Sequence, residues 1–205
     1  ASLSGAGQIM EDEAEDELHG IVLREVENLN ELVEDFLDIA RPLHLRTSPT
    51  NINSIVRDVV VAFEQDRRYQ GRITISASLS EVPVLDLDAN RVRQVVWNLV
   101  LNAAQATPEE GQILIRVKPA GDGVQVEVED EGVGIPPQRM SRIFDPFYTT
   151  RSGGTGLGLA NVDRIVRAHE GEVVLRSQEG EGTCFTLNFP GNVESATLEP
   201  VVGLG

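Results

Sequence analysis

Five polar side chains, Arg91, Gln94, Asn98, Asn102 and Gln105, share one narrow stripe if residues 88–106 form an α-helix of 3.6 residues per turn. Val92, Val96, Leu99 and Ala103 fall opposite them. A stripe that only meets water would favour Glu, Lys and Arg, whereas each Asn costs roughly half a kcal/mol of helix propensity relative to Ala. Amide oxygens one turn apart can ligate a hard cation, and their NH2 groups can donate to phosphate. Taken alone, however, ordinary amphipathicity explains the stripe more readily than a ligand does.

Four further segments carry chemistry of the same tentative kind. The alternating run Val124–Val128 ends in Glu129-Asp130-Glu131-Gly132-Val133-Gly134-Ile135. Gly132 and Gly134 let backbone approach a ligand closely, and Asp130 at a strand end can accept a hydrogen bond from an adenine amine. A turn with a solvated Asp is the plainer alternative. In Phe144-Asp145-Pro146-Phe147-Tyr148-Thr149-Thr150-Arg151, three of the nine aromatics crowd into five residues. Aromatics in a loop usually anchor it to a core, and Thr149, Thr150 and Arg151 supply donors suited to a terminal phosphate. Gly153-Gly154-Thr155-Gly156-Leu157-Gly158-Leu159 opens a helix, where free backbone N–H groups form an anion site. Its spacing is not the dinucleotide fingerprint. Gly180-Glu181-Gly182-Thr183 enters a strand and, alone, reads as a turn.

These segments need elements to hold them. Helices are expected over Asn53–Gln65, Asp88–Ala106 and Gly156–His169, from their apolar periodicity. Strands are expected over Ile73–Leu79, Val82–Leu87, 172–176 and 183–189, with Ile113–Val117 and Val124–Val128 as a hairpin turning at Gly121-Asp122-Gly123. That order predicts an α/β layer whose helices cover one sheet face. Upstream, Val22, Val26, Leu29, Val33, Phe36 and Ala40 follow a heptad seam that stops at Arg41-Pro42. Leu3, Ala6 and Met10 begin the same pattern before an acidic turn at 11–17. Such a hairpin buries too little to stand alone and predicts packing against another copy.

Bulk composition narrows the function. The 205 residues carry a formal charge of −16, which argues against nucleic acid as a partner. Residues 11–38 hold twelve Asp or Glu against Arg24, either a solvated helix face or an acidic docking surface. Lys118 is the only lysine. It lies between Val117 and Pro119, so neither a P-loop nor a eukaryotic-type protein kinase is encoded. No apolar run approaches the roughly 20 residues of a membrane span, and a soluble, cytoplasmic piece of a parent that could itself be membrane-anchored is expected. Cys184 stands alone in Thr183-Cys184-Phe185-Thr186-Leu187 and reads as strand core.

In combination the segments are specific. The ordered set resembles the GHKL ATPase family, and within it the catalytic domain of sensor histidine kinases, over about residues 22–189. The N box is Gln94–Ala103, the first glycine box Asp130-Glu131-Gly132-Val133-Gly134, and the F box Phe144-Asp145-Pro146-Phe147. Gly154-Thr155-Gly156-Leu157-Gly158 is the second glycine box, and Gly180–Thr183 matches the third. The resemblance implies a two-layer α/β sandwich of the Bergerat type, a mixed sheet with helices on one face. It implies ATP with magnesium between the long helix and a lid at about Pro136–Thr155. Asp130 would hold the adenine amine, and Asn102 with Asn98 would bind magnesium and phosphate. Arg151 would reach the terminal phosphate, so that Asn98 and Arg151 serve catalysis. Gly132, Gly134, Thr149, Thr150, Gly154, Thr155, Gly156, Leu157, Gly158 and Thr183 complete the implied nucleotide site. The short lid and its Phe-Tyr-Thr-Thr-Arg run look most like the nitrogen-regulation branch. Gln105 departs from many relatives, which place there a Lys that touches phosphate.

The phosphorylated histidine of such kinases lies in a motif resembling His-Glu-x-x-Asn-Pro-Leu, and His19, His44 and His169 all lack that context. The expectation is a chain that begins just past its phosphoacceptor. It would comprise a partial helical dimerisation hairpin (1–41), a linker (42–50), the ATP-binding catalytic domain (51–190) and a disordered tail (191–205). A response-regulator receiver domain and a second copy of the intact protein are the implied partners. Three rivals remain at this level. ATP-hydrolysing clamps of the same superfamily carry a Glu general base where this chain has Asn98, and an amide cannot abstract a proton. The others are a serine kinase of an anti-sigma-factor switch and a nucleotide-sensing scaffold.

Overall fold

Alternation along the strands decides which side of the sheet is buried. In β4 (Gly111–Ala120), Ile113, Ile115 and Val117 are buried while Gln112, Arg116 and Lys118 face outward. The computed structural model describes residues 43–151 and 154–191, together with Val26, Val33 and Leu37. The rest of the expected hairpin, the tail beyond residue 191 and Gly153 lie outside the described residues. The chain divides into two compact units, Ala1–Pro42 and Leu43–Gly205. In the first, Val26, Val33 and Leu37 are helical and exposed.

The second unit contains β1 (Ser48–Thr50), α1 (Ile52–Glu64), β2 (Ile73–Leu79), β3 (Leu85–Leu87) and α2 (Ala89–Ala106). After β4 come β5 (Gly123–Asp130), α3 (Pro137–Met140), α4 (Gly158–Ala168), β6 (Glu172–Gln178) and β7 (Gly182–Phe189). Five strands form one mixed sheet in the order β2-β4-β5-β7-β6, with β2 parallel to β4 and the other neighbours antiparallel. Helices α1, α2 and α4 bury Ile52, Val56, Phe63, Val92, Val96, Leu99, Val162 and Ile165 against the inward residues of the strands. This is the expected α/β sandwich.

Three expectations need correction. The strand expected over Val82–Leu87 shortens to β3, which pairs with β1 rather than joining the main sheet. Pro83 lacks an N–H for a ladder and Val84 is exposed. Residues 48–50, at the end of the expected linker, are themselves strand β1, in register from Ser48↔Leu87 to Thr50↔Leu85. Cys184 is not core. The β7 register sends Phe185 and Leu187 inward, and Cys184 lies half-buried on the polar face opposite Glu129 and Arg176. That face holds its own charges together, with Lys118 3.0 Å from Glu127 and Arg116 pairing with Glu129 and Glu127.

Candidate functional site

Helix α2 carries the amide stripe, and both of its ends are tied down. Asp88 caps the N-terminus, its Oδ1 accepting from the Arg91 N–H at 3.1 Å. Its Oδ2 accepts from the Arg46 N–H at 2.9 Å, and its own N–H donates to His169 Nε2 at 3.0 Å. His169 Nδ1 in turn meets the Ile165 carbonyl at 2.8 Å, so both ring nitrogens are engaged and the residue is structural. Burial pushes the Asp88 carboxyl up, but the backbone N–H groups of Arg46, Arg91 and Asn90 outweigh that and hold it below its ordinary value. At the other end, Arg72 donates to the carbonyls of Ala104, Thr107 and Glu109, which have no partner within the helix. Tyr69 lies under that guanidinium, 5.6 Å from ring centroid to Arg72 Cζ, and stacks on Phe63.

Along α2 the apolar positions are buried, and Asn98 and Asn102 are half-buried on the opposite side. Asn98 Nδ2 donates to the carbonyl of Gly158, the first residue of α4, at 3.4 Å. A Cβ on Gly158 would stand 3.9 Å from the Asn98 amide, an ordinary packing distance, so the two helices approach closely here. No side chain caps the N-terminus of α4. The helix start meets Asn98 through the Gly158 carbonyl, and free N–H groups at a helix start can receive an anion. Leu157 is fully buried and fastens this helix start, with its N–H donating to Thr155 Oγ1 at 3.2 Å.

Asp130 ends β5 and is 5% exposed. Its carboxylate accepts from the N–H of Gly132 at 2.9 Å and from the N–H of Thr183 on β7. Burial nevertheless dominates and raises its pKa to about 6, against which those two N–H groups and the Arg151 charge act. Gly132 is required where it stands, because a Cβ would press within 2.7 Å of the Ala106 carbonyl that ends α2. The adjoining Val133 N–H donates to that same carbonyl, at 3.0 Å. Gly134 has φ +67°, and a Cβ there would collide with the Gln178 carbonyl, so it docks this loop on the β6–β7 turn. Thr183 contributes its backbone N–H to Asp130 and its hydroxyl to Ser177, at 2.9 Å.

The segment between β5 and α4 completes the site. Phe144 packs edge-on against Phe185 and Tyr148 lies against the core, with Arg142 4.5 Å above its ring. Phe147 is exposed at φ +65°, so it does not anchor the loop. Gly156, at φ +68°, lies so close to the Phe147 and Tyr148 backbone that no Cβ fits. Thr149 Oγ1 accepts from the Arg151 N–H at 3.1 Å, and Thr150 is exposed. Across the sequence, Arg151 Nη1 donates to Asn102 Oδ1 at 3.1 Å and to Gln105 Oε1, and Nη2 donates to the Asn102 carbonyl at 3.0 Å.

Asn98, Asn102, Arg151, Gly158 and Asp130 therefore border one region, at the meeting of α2, the start of α4 and the end of β5. Thr150 is exposed and Gly154 lies beside Thr149 and Arg151, while Gly134 and Leu157 act as steric and apolar anchors. Arg72 takes part without a sequence signal that would have selected it; Gln105 shares the polar stripe of α2, but its type singles out no ligand. Arg72 is one of several arginines in a polar turn, and Gln105 differs from the residue expected at its position. Among the described residues no group of three or more His, Cys, Asp or Glu gathers to hold a metal. The available metal donors are the hard amide oxygens of Asn98 and Asn102, which suit magnesium when phosphate and water oxygens complete its shell.

Comparison with known proteins shows the family. Residues 87–193 match the model of the histidine kinase-, DNA gyrase B-, and HSP90-like ATPase family. The chain is 37% identical over 180 residues to sensor histidine kinase ZraS of Escherichia coli K12, spanning 86% of this chain and 38% of ZraS. Among solved structures, full-length ShkA in complex with AMPPNP superposes with TM-score 0.73 and 32% identity, over 82% of this chain and 37% of ShkA. The catalytic domain of histidine kinase ThkA gives 0.64 and 33%, over 71% of this chain and 95% of that domain. ThkA in complex with response regulator protein TrrA gives 0.71 and 30%, over 84% and 50%. The chain spans less than half the length of ZraS and of full-length ShkA. With the family's boxes in order and their residues facing one another, the chain belongs to the histidine kinase-, DNA gyrase B- and HSP90-like ATPase family and is a histidine-kinase catalytic domain.

Proposed function

We propose that this domain binds ATP with magnesium and transfers the terminal phosphate to a histidine outside the chain, for relay to the aspartate of a response-regulator receiver domain. The observation that carries the reading is the meeting of Arg151 with Asn102, 49 residues apart in sequence, in the field of the Asp130 carboxylate. A cation, an amide oxygen and a buried acid converging beside an uncapped helix N-terminus suit the two ends of an adenine nucleotide. Asp130 accepts from the adenine amine, and Gly132 lets the loop after β5 pack on the end of α2 and holds the Asp130 carboxylate through its N–H. Asn98 and Asn102 hold magnesium and phosphate, while the N–H groups at Gly158 and the donors of Thr149, Thr150, Gly154, Thr155, Gly156 and Leu157 line the phosphate end. Thr183 fixes the Asp130 carboxylate. Magnesium neutralises phosphate charge when bound. Asn98 and Arg151 position the terminal phosphate, and phosphoryl transfer asks little more of a protein than positioning and charge.

ShkA was solved with AMPPNP and ThkA with a response regulator, which supports the nucleotide and the partner for this chain. The Phe147–Arg151 run and the short lid favour the nitrogen-regulation branch. Residues 1–41 are assigned to a partial dimerisation hairpin, 51–190 together with strand β1 to the catalytic domain, the stretch before β1 to a linker and 191–205 to a tail. The hairpin pairs two copies of the intact protein in the cytoplasm. Among the described residues no helix is long and apolar enough to cross a membrane.

Calorimetry with a non-hydrolysable ATP analogue, with and without magnesium, tests the site. Asp130→Ala is expected to abolish binding in a folded protein. Asn102→Ala is expected to bind the analogue equally with and without the metal. Wild-type titration behaviour in either variant removes the assigned role.

A further inference from the structure

We infer that Gln105 is a positioning residue: it docks the Arg151 guanidinium beside the terminal-phosphate position and so sets the preference of the site for a nucleoside triphosphate over a diphosphate. This rests on the nucleotide reading proposed above. The family resemblance implies a phosphate-touching Lys at this position, whereas the Gln105 side chain brings no charge of its own. Its exposed amide instead accepts from Arg151 Nη1, three residues along α2 from Asn102, whose Oδ1 and carbonyl accept from the same guanidinium. An ammonium at this position would repel Arg151, whereas an amide oxygen is its complement. The positive charge that a terminal phosphate needs is therefore supplied from the loop before α4, and Gln105 is what holds it on α2.

The three acceptors also differ in what else they can do. Asn102 Oδ1 is a candidate metal donor, and two cations do not share one amide oxygen favourably. Gln105 Oε1 and the Asn102 carbonyl have no assigned metal role, so they can retain Arg151 once Asn102 Oδ1 is engaged. A fixed guanidinium next to the phosphate end rewards a third phosphate and is indifferent to its loss only if it reaches no further than the second. The preference for triphosphate then depends on Gln105 through Arg151.

The test compares wild type, Gln105→Leu, Arg151→Ala and the double variant by calorimetry of the whole chain with magnesium, using ADP and a non-hydrolysable ATP analogue. The ratio of the two affinities removes what both nucleotides share. Gln105→Leu is expected to lower the triphosphate preference roughly three- to tenfold, the scale of one ordinary hydrogen bond between exposed groups. Arg151→Ala lowers it at least as far, and Gln105→Leu adds nothing to Arg151→Ala. In nucleotide-free protein, trypsin must extract the Arg151 side chain to cleave after it. Gln105→Leu is therefore expected to speed that cleavage relative to cleavage after exposed Arg67. Equal losses for both nucleotides, additive effects with Arg151→Ala, or unchanged cleavage after Arg151 would each overturn the assignment. A wild-type chain that binds neither nucleotide would instead sink the ATP reading, and the cleavage comparison would still judge the Gln105–Arg151 contact.

Discussion

At the residue scale, the cost of the site is concentrated in Asp130. Its carboxyl is buried, accepts two backbone N–H groups and still has a pKa raised to about 6 from an ordinary 3.8. The folded chain therefore retains this proton over a window in which the unfolded chain has released it. Stability of the nucleotide-free protein falls as pH rises from about 4 to about 6 and stays lower above that, by on the order of 2–3 kcal/mol at most. Asp130→Asn, which keeps an acceptor for the Gly132 N–H, should melt higher than wild type at pH 8 and match it near pH 4. Thermal denaturation at the two pH values checks this, and an equal shift at both would remove the protonation argument. An adenine amine donating to the carboxylate favours its charged form. Nucleotide affinity should accordingly rise with pH through 6, with proton release measurable by calorimetry in buffers of different ionisation enthalpy.

Single residues also mark where sequence reading stops. Asp130 before Gly132 and Gly134 reads, taken alone, more plainly as a solvated turn; its burial and its two N–H donors come only from the fold. Cys184 was not placed correctly, because an alternating run has two faces and only the pairing register says which is inside. Gln105 departs from the Lys that the resemblance implies, and its contact with Arg151, 46 residues away, is made only by the fold.

At the element scale, α2 is the member that everything else orients. Asp88 fixes its start to the chain before β1 and to the end of α4, and Arg72 holds its last carbonyls beside the glycine loop that carries Asp130. Asp88→Ala removes a helix cap and the Arg46 contact together, a loss of about 1–2 kcal/mol. Urea denaturation at pH 7 should show that loss. It should diminish at low pH, since the folded-state pKa of Asp88 is depressed: its contribution is present above the unfolded pKa and disappears as pH falls through the folded one. A loss that is independent of pH would mean that the carboxylate charge contributes nothing there. Helix α2 itself was plain from its periodicity over 18 residues. Strand β1 and helix α3 were not, because three or four residues carry too little pattern and β1 exists only through its pairing with β3.

At the scale of the whole molecule, the proposed role of the Asn98 amide bears on whether the site transfers phosphate or hydrolyses ATP. Its Nδ2 donates to the Gly158 carbonyl, and it has no group that can take a proton from water. Steady-state ATP hydrolysis by the chain alone should stay near background, read by phosphate release. Brisk turnover would move the protein toward the ATP-hydrolysing clamps of the same family.

Periodicity, turn residues and an ordered set of boxes suffice to determine the fold class, the long asparagine helix and the family, because each is a local pattern written along the chain. Which residues share a pocket is decided by the fold alone. Arg151 on Asn102 and Gln105, Arg72 under the end of α2, and Thr183 beside Asp130 are contacts between segments tens of residues apart. Their energies depend on burial and register, which arise only when the sheet and its helices close on one core.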